Sequence, residues 1–325
     1  MNRLKRFLSL CCVMALLIGT YPATVLATAD EEQNGGDAVD MIGNNSDIAV
    51  MTFNILADNS GSTKYDTPAN RLPRIVKTIQ NYSPDVFGVQ EASNYYYLDA
   101  ARTLSWHQAL ADEMAKLGYA NTSYHEESGK DANVQAGLMM FYKTDRFSFN
   151  PSVQDHGYES ITTTGTYDGV TAQHPYGRYY HYIQLIDTYH NNQPVYFFNT
   201  HFGLDVSKDT SGNAVTGNTA LMISRQIRTK QAVQLATAVK AKAENLPFFV
   251  FGDFNTTLAE AYPDKYHTTA AETGYNQLAA IPQTFASMQP AIRVAHRITR
   301  AYPFDAEAWD GIYVNNSNTV VTDFM

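Results

Sequence analysis

Short apolar runs alternate along the chain with longer segments in which apolar residues recur at helical spacing. The runs are nearly continuous in apolar residues, which is typical of strands that are covered on both faces of a sheet. They occupy 48–54, 85–90, 137–143, 179–187, 194–199 and 247–252, with a final pair at 310–314 and 319–322. A polar turn separates 179–187 from 194–199, so these two strands are predicted to form a hairpin.

Helical spacing of apolar residues predicts three α-helices, at 68–82, 106–117 and 221–244. Pro68 stands at the start of the first helix, where its fixed backbone angle suits a first turn. Arg225, Arg228 and Lys230 lie on the third helix, and we assign them to its solvated face.

The order of these elements predicts an α/β fold. Helices interleaved with buried strands, and a hairpin in the middle of the chain, favour layers of α, β, β and α with mixed sheets. No low-complexity linker or internal repeat is evident, so one domain over 48–325 is the simplest division. The less regular stretches 207–218 and 262–300 are predicted to be surface loops.

The N-terminal segment 1–27 has the three parts of a secretory signal peptide. Arg3, Lys5 and Arg6 precede an apolar stretch at 7–18, and the segment closes on the small-x-small pattern VLA. A membrane-spanning helix needs about 20 apolar residues, so we predict a signal peptide and no transmembrane anchor in the mature chain. The polar, acidic residues 28–47 are predicted to be a flexible lead-in.

The cysteine content and the net charge limit the classes of site and ligand that this chain can have. Cys11 and Cys12 are the chain's two cysteines, and both lie in the predicted signal peptide. A mature chain without cysteine has no disulfide, no thiolate metal ligand and no Cys nucleophile. The net charge of −9 and the absence of a basic stripe argue mildly against binding long nucleic acid. Bound metal ions could still supply positive charge for a polyanionic substrate.

Four polar clusters follow apolar strands at their carboxyl ends. Active sites of layered sheets lie at such strand ends. One polar residue after a strand is usually a turn former, but four clusters that mix amide, carboxylate and imidazole indicate a site. The cluster residues are Asn54, Glu91, Asn199 with His201, and Asp253 with Asn255.

These residue types favour phosphoryl chemistry with a hard divalent cation. Carboxylate and amide oxygens without thiols suit Mg²⁺ or Mn²⁺, and Mg²⁺ takes few protein carboxylates because it keeps several waters. A histidine beside the phosphate can exchange a proton near neutral pH. The sequence therefore predicts attack of a water on a phosphoester, assisted by a metal ion.

The motifs resemble those of the endonuclease/exonuclease/phosphatase superfamily, metal-dependent phosphoesterases with a DNase I-like fold. The resemblance implies a four-layer α-β-β-α sandwich with mixed, largely antiparallel sheets. The matching segments are, in order, MTFNILAD (51–58), PDVFGVQEAS (84–93), GLMMFYKTDRF (137–147), VYFFNTHFG (195–203), FFVFGDFN (248–255) and WDGIYV (309–314).

The resemblance also implies catalytic and metal-binding roles. Glu91 resembles the principal metal ligand, and Asn54 a direct or indirect metal contact. His201 resembles the family's first catalytic histidine, near the scissile phosphate. Asp253 resembles the carboxylate that orients or activates the attacking water. Asp310 resembles the carboxylate that orients a second histidine, which a closing Ser-Asp-His motif supplies.

Three further residues are candidate phosphate contacts. Asn255 matches a phosphate-binding position of the family, and the Asn199 side chain could donate to phosphate oxygens. Arg178, at the start of a predicted strand, could also reach a phosphate, with a surface salt bridge as the alternative. The Ser-Asp-His motif has no counterpart before Met325, so we expect the domain to be C-terminally incomplete.

The resulting expectation is a secreted, monomeric, divalent-metal-dependent phosphoesterase. Its substrate would be a phosphodiester or phosphomonoester, such as nucleic acid, a nucleotide or a phospholipid headgroup. Two alternatives stay open: a secreted nuclease of the same fold, and a binding protein that lost the terminal catalytic histidine.

Asn255 begins an Asn-Thr-Thr glycosylation sequon. Because a glycan there would block phosphate, we predict bacterial secretion.

Overall fold

The computed structural model describes residues 48–56, 67–92, 98, 103–122 and 137–255. It also describes the backbone of four further strands, at Tyr21–Val25, Met288–Pro290, Asp310–Asn315 and Thr319–Phe324. The predicted lead-in at 28–47 and most of the predicted loop at 262–300 lie outside these residues.

The first sheet has six strands in the order β15-β1-β2-β3-β5-β4. The pairs from β15 through β3 are parallel, whereas β5 is antiparallel to both β3 and β4. The strands are β1 (Tyr21–Val25), β2 (Ile48–Asn54), β3 (Val86–Gln90), β4 (Tyr119–Asn121), β5 (Met139–Lys143) and β15 (Thr319–Phe324).

The second sheet is mainly antiparallel and has the order β13-β14-β12-β11-β10, with β6 and β7 both pairing with β10. Among the strands that the structure describes in this sheet, β11 and β12 are the parallel pair. The strands are β6 (Phe147–Ser148), β7 (His156–Ile161), β10 (Arg178–Asp187), β11 (Gln193–His201), β12 (Phe248–Asp253), β13 (Met288–Pro290) and β14 (Asp310–Asn315). The hairpin predicted from the sequence is β10–β11, with Ile183 opposite Phe197.

Three helices cover the outer faces of the two sheets. α1 (Pro68–Tyr82) and α2 (Trp106–Lys116) pack on the first sheet, and α3 (Gly217–Ala243) packs on the second. Thr67 caps α1, because its side chain accepts a hydrogen bond from the backbone N–H of Asn70. Besides the apolar contacts under these helices, an apolar cluster lies between the two sheets and includes Val50, Met140, Phe197 and Phe251. The predicted four-layer α-β-β-α sandwich is therefore confirmed.

Some sequence-based assignments differ from the structure. The predicted final pair of strands is split, since β14 belongs to the second sheet and β15 to the first. The hairpin of β8 (Thr164–Tyr167) and β9 (Val170–Gln173) was not predicted. It forms, with Val206 and Val215, an apolar cluster against Ile223 and Ile227 of α3.

The extra cluster explains why one surface assignment was wrong. Arg225 and Arg228 are buried, although Lys230 on the same helix is exposed as expected. Arg228 donates to a carboxylate oxygen of Asp205 at 2.9 Å. The N-terminal half of α3 is covered by the segment after β11 and by the β8–β9 hairpin. The sequence of a helix does not show which of its faces other segments of the chain will cover.

In the part of the chain that the structure describes, no helix is long and apolar enough to cross a membrane. β1 lies within the segment that we predict to be a signal peptide, and that assignment stays a prediction.

Candidate active site

Parallel pairing brings the predicted polar clusters to one edge of the sandwich. In the first sheet Asn54 lies opposite Gln90, so that Glu91 follows at the same strand end. In the second sheet His201 lies opposite Asp253. The carboxyl ends of β2, β3, β11 and β12 therefore converge.

Asn54 joins the two sheets at this edge. Its Nδ2 donates to Oε1 of Glu91 and to Oδ2 of Asp253, each at 2.9 Å. One amide nitrogen thus holds two carboxylates whose residues are 162 positions apart in sequence (253 minus 91). Two carboxylates so close together repel one another and would be stabilised by a cation between them.

The orientation of the Asn54 amide follows from its other contact. Oδ1 of Asn54 accepts the backbone N–H of Leu56 at 3.0 Å, which leaves Nδ2 facing the carboxylates. An amide N–H is a donor and cannot ligate a cation. Of the two roles expected for Asn54, the geometry fits the indirect one, in which it holds Glu91 and Asp253, and does not fit direct metal ligation.

Asp253 is buried, with 6% of its surface exposed. Burial raises its pKa to about 6, and the charge of Glu91 adds to this, whereas hydrogen bonds from Asn54 and from the backbone N–H of Asn255 lower it. Nε2 of His201 lies 3.6 Å from Oδ2 of Asp253. The two side chains to which we assigned catalytic roles therefore lie side by side, and those roles stay predictions.

Arg178 and Asn255 meet at the carbonyl of Phe202, immediately after His201. The carbonyl accepts Nε of Arg178 at 3.0 Å and Nδ2 of Asn255 at 2.8 Å. Arg178 is 1% exposed, and its Nη2 has no hydrogen-bond partner among the described residues. Burial lowers the pKa of Arg178 to about 10, while the nearby charges of Glu91 and Asp253 raise it. Arg178 is thus a buried cation at the site, and the surface position considered as its alternative is wrong.

Asp310 begins β14, directly opposite Asp253 in the antiparallel register. Its backbone therefore lies at the same edge as the other predicted residues.

Asn199 is placed differently from our expectation. It is fully buried, and its Nδ2 donates to the backbone carbonyls of Val89 at 3.1 Å and Met139 at 2.9 Å. Its Oδ1 accepts Nε2 of Gln90 at 2.7 Å. Because both amide hydrogens are used inside the protein, Asn199 ties the two sheets together and is not a phosphate contact.

Gly88 makes room for this tie between the sheets. A Cβ at Gly88 would overlap the ring of Phe251 and the side chain of Asn199. Gln90, to which the sequence analysis assigned no role, is fully buried and also bonds Thr52 at 3.1 Å. Gln90 is the first residue of the QE motif, and this motif is the sequence feature that could have indicated its role in joining the sheets.

The donors at this edge fit a hard divalent ion. Glu91 and Asp253 offer carboxylate oxygens at one place, and the sequence after Cys12 has no cysteine to favour a softer metal. Among the residues that the structure describes, no group of three or more His, Cys, Asp or Glu side chains is arranged to hold a metal. Two carboxylates are nevertheless the ordinary protein contribution to a Mg²⁺ site, where water fills the remaining positions.

Comparison with solved structures shows similar folds. A mannosyl-6-phosphatase from Bacteroides thetaiotaomicron is 19% identical, with a TM-score of 0.53 over 82% of this chain and 85% of that one. An endonuclease/exonuclease/phosphatase from Bacteroides vulgatus is also 19% identical, with a TM-score of 0.54 over 81% and 85%. At this identity the likeness concerns the fold. No curated protein sequence gives a significant match.

The sequence model of one family covers residues 51–275, and this range contains every predicted site residue except Asp310. The match spans more than half of the chain and agrees with the motif order, the four-layer fold and the strand-end cluster. The chain therefore belongs to the endonuclease/exonuclease/phosphatase family.

Proposed function

We propose that this protein is a hydrolase of phosphoesters that depends on a divalent metal ion, Mg²⁺ or Mn²⁺. The proposal rests on one observation. Asn54 donates hydrogen bonds to both Glu91 and Asp253 beside His201, and the buried Arg178 is close by. The cluster combines an anionic end suited to a cation with a cationic group suited to a phosphate. Family membership supports the reaction class.

Glu91 would hold the metal, with the carboxylate of Asp253 close to it. A divalent ion held there supplies positive charge against the phosphoryl oxygens. Asp253 is in a position to orient a water and accept its proton, and His201 to donate to the phosphoryl group. Nη2 of Arg178 and the second Nδ2 hydrogen of Asn255 would bind phosphate oxygens.

Secretion is part of the proposal and rests on the N-terminal segment; its assignment to a bacterial cell rests on the Asn255 sequon, where a glycan would block phosphate. The substrate class is a phosphomonoester or phosphodiester; nucleic acid, nucleotides and phospholipid headgroups all carry such groups. Assays with p-nitrophenyl phosphate and bis-p-nitrophenyl phosphate distinguish the two ester types. A chain that binds phosphate but hydrolyses neither ester would be the binding protein considered above.

Removal of divalent metal is expected to abolish hydrolysis. Among the described residues, two carboxylates face one another at the site, so we expect weak, exchangeable binding. EDTA should reduce turnover of bis-p-nitrophenyl phosphate or p-nitrophenyl phosphate to background, and excess Mg²⁺ or Mn²⁺ should restore it. Full turnover after dialysis against chelator would contradict the metal assignment.

Arg178→Met is expected to weaken phosphate binding and catalysis together. Loss of one buried electrostatic contact to a transition state costs roughly 10²–10³ in rate. The inhibition constant of inorganic phosphate should rise in the same variant. The melting temperature should fall, because the substitution removes a buried hydrogen bond to the carbonyl of Phe202 and the positive charge that faces Glu91 and Asp253, so the kinetics are measured well below the unfolding transition.

Lys230→Met is the matched control for Arg178→Met, since it removes one positive charge from an exposed position on α3. It should leave both turnover and phosphate inhibition unchanged. Unaltered phosphate inhibition in Arg178→Met would show that Arg178 does not contact the substrate.

A further inference from the structure

We propose that Arg71 on α1 is a positioning residue for the metal-binding end of the site. It would act through the turn that follows β2, and the inference rests on the function proposed above. Arg71 contacts the backbone that orients Asn54.

Arg71 holds two consecutive carbonyls of that turn. Its Nη1 donates to the carbonyl of Ile55 at 3.1 Å, and its Nη2 donates to the carbonyl of Leu56 at 2.7 Å. The residue is 6% exposed, and its guanidinium lies over the ring of Trp106, 5.8 Å from the centroid. A planar guanidinium has the fork of donors that such a pair of acceptors needs, which a lysine lacks.

The N–H groups of the same two residues are also used. The backbone N–H of Ile55 donates to the carbonyl of Gln90 at 3.1 Å, next to Glu91. The backbone N–H of Leu56 donates to Oδ1 of Asn54. Arg71 therefore restrains the two peptide units that join Asn54 to α1 and to the end of β3.

The turn needs this restraint, because Leu56 has a backbone φ of 59°. Leucine rarely occupies the left-handed region, and surrounding contacts must hold it there. If the contacts from Arg71 are lost, Leu56 can relax toward negative φ and its N–H moves away from Asn54. The Asn54 amide is then free to rotate, and it no longer holds Glu91 and Asp253 together.

The expected consequence is weaker metal binding and a lower kcat, with KM little changed, because Arg178 and Asn255 keep their places. Loss of an outer contact that orients metal ligands typically costs 10–100-fold in metal affinity or activity. Arg71→Met should therefore bind Mn²⁺ roughly 10–100-fold more weakly. Arg71→Lys, which retains the charge but can hold only part of the turn, should fall between Arg71→Met and the wild type.

The experiment is a Mn²⁺ titration of the full chain, followed by electron paramagnetic resonance of the free ion, with kcat and KM measured alongside. Arg74→Met is the matched control, because Arg74 is exposed on the same helix one turn from Arg71. It should bind Mn²⁺ as the wild type does. Thermal melts of each variant set the titration temperature well below unfolding.

Wild-type Mn²⁺ affinity in Arg71→Met would overturn the role of Arg71 and leave the proposed function standing. If Arg71→Met does not fold, the Mn²⁺ affinity of Arg71→Lys is the test. Wild-type affinity in Arg71→Lys would also overturn the positioning role of Arg71. A wild-type chain that binds no Mn²⁺ would overturn the proposed function, and this inference with it.

Discussion

Glu91→Gln is expected to lower kcat by roughly 10²–10³, the cost typical of losing one strong electrostatic contact in a transition state. Glutamine has nearly the same shape, and its Oε1 can still accept the Asn54 amide that Glu91 binds at 2.9 Å. The substitution removes the negative charge that would hold the metal, and it leaves the packing intact. Steady-state kinetics over a range of Mg²⁺ concentrations measure the loss, which added metal should not fully restore.

Stability should change little in Glu91→Gln. The negative charge of Glu91 raises the pKa of Asp253, so the substitution relieves a repulsion, but it also removes the attraction between Glu91 and the buried Arg178. Glu113→Gln, at a position on α2 where a carboxylate pairs with Lys116, is the matched control and should keep full activity. A lower melting temperature with nearly normal kcat in Glu91→Gln would indicate a structural role for this residue.

Asn199→Leu is expected to have the opposite signature, a large loss of stability. The substitution removes the two hydrogen bonds that Asn199 donates to the carbonyls of Val89 and Met139, and it leaves one amide hydrogen of Gln90 without a partner in the interior. A buried donor without a partner costs ~1–3 kcal/mol and each lost hydrogen bond ~0.5–1.5 kcal/mol, so the free energy of unfolding should fall by about 3 kcal/mol. Urea denaturation measures the change.

Asn81→Leu is the control for Asn199→Leu, because Asn81 is exposed on α1. Its stability should differ from the wild type by ~0.5 kcal/mol at most, as is usual for surface substitutions. Below the unfolding transition, the KM of Asn199→Leu should stay close to the wild-type value. A raised KM with unchanged stability would instead indicate that Asn199 contacts the phosphate of the substrate.

The difference between Asn199 and His201 shows why motif reading alone misassigned one of them. The two residues lie on the same face of β11, because side chains of a strand alternate. Two residues of extended chain span about 7 Å, so Asn199 lies deeper between the sheets than His201. The NTH motif predicts that both are polar and near a strand end, but their depth depends on the facing first sheet, including Gly88 and Gln90.

Burial of charge was also decided by packing between distant segments. Arg178 stands at the first position of β10, where the sequence allows either a surface salt bridge or a phosphate contact. The carbonyl of Phe202, just after β11, and the nearby Asp253, at the end of β12, place it inside the site. Arg228 is likewise covered by a segment more than 20 residues away along the chain.

The sequence by itself determined the most apolar strands, the helices, the layered class and the meeting of Asn54, Glu91, His201 and Asp253 at one edge, but not β4 or β6 to β9. Local apolar periodicity and the carboxyl ends of parallel strands are sufficient for these features. Tertiary structure decided which polar atoms face the cleft and which tie the sheets together. The reason is that hydrogen-bond partners such as Val89 for Asn199, or Leu56 for Asn54, are set by register and sheet packing.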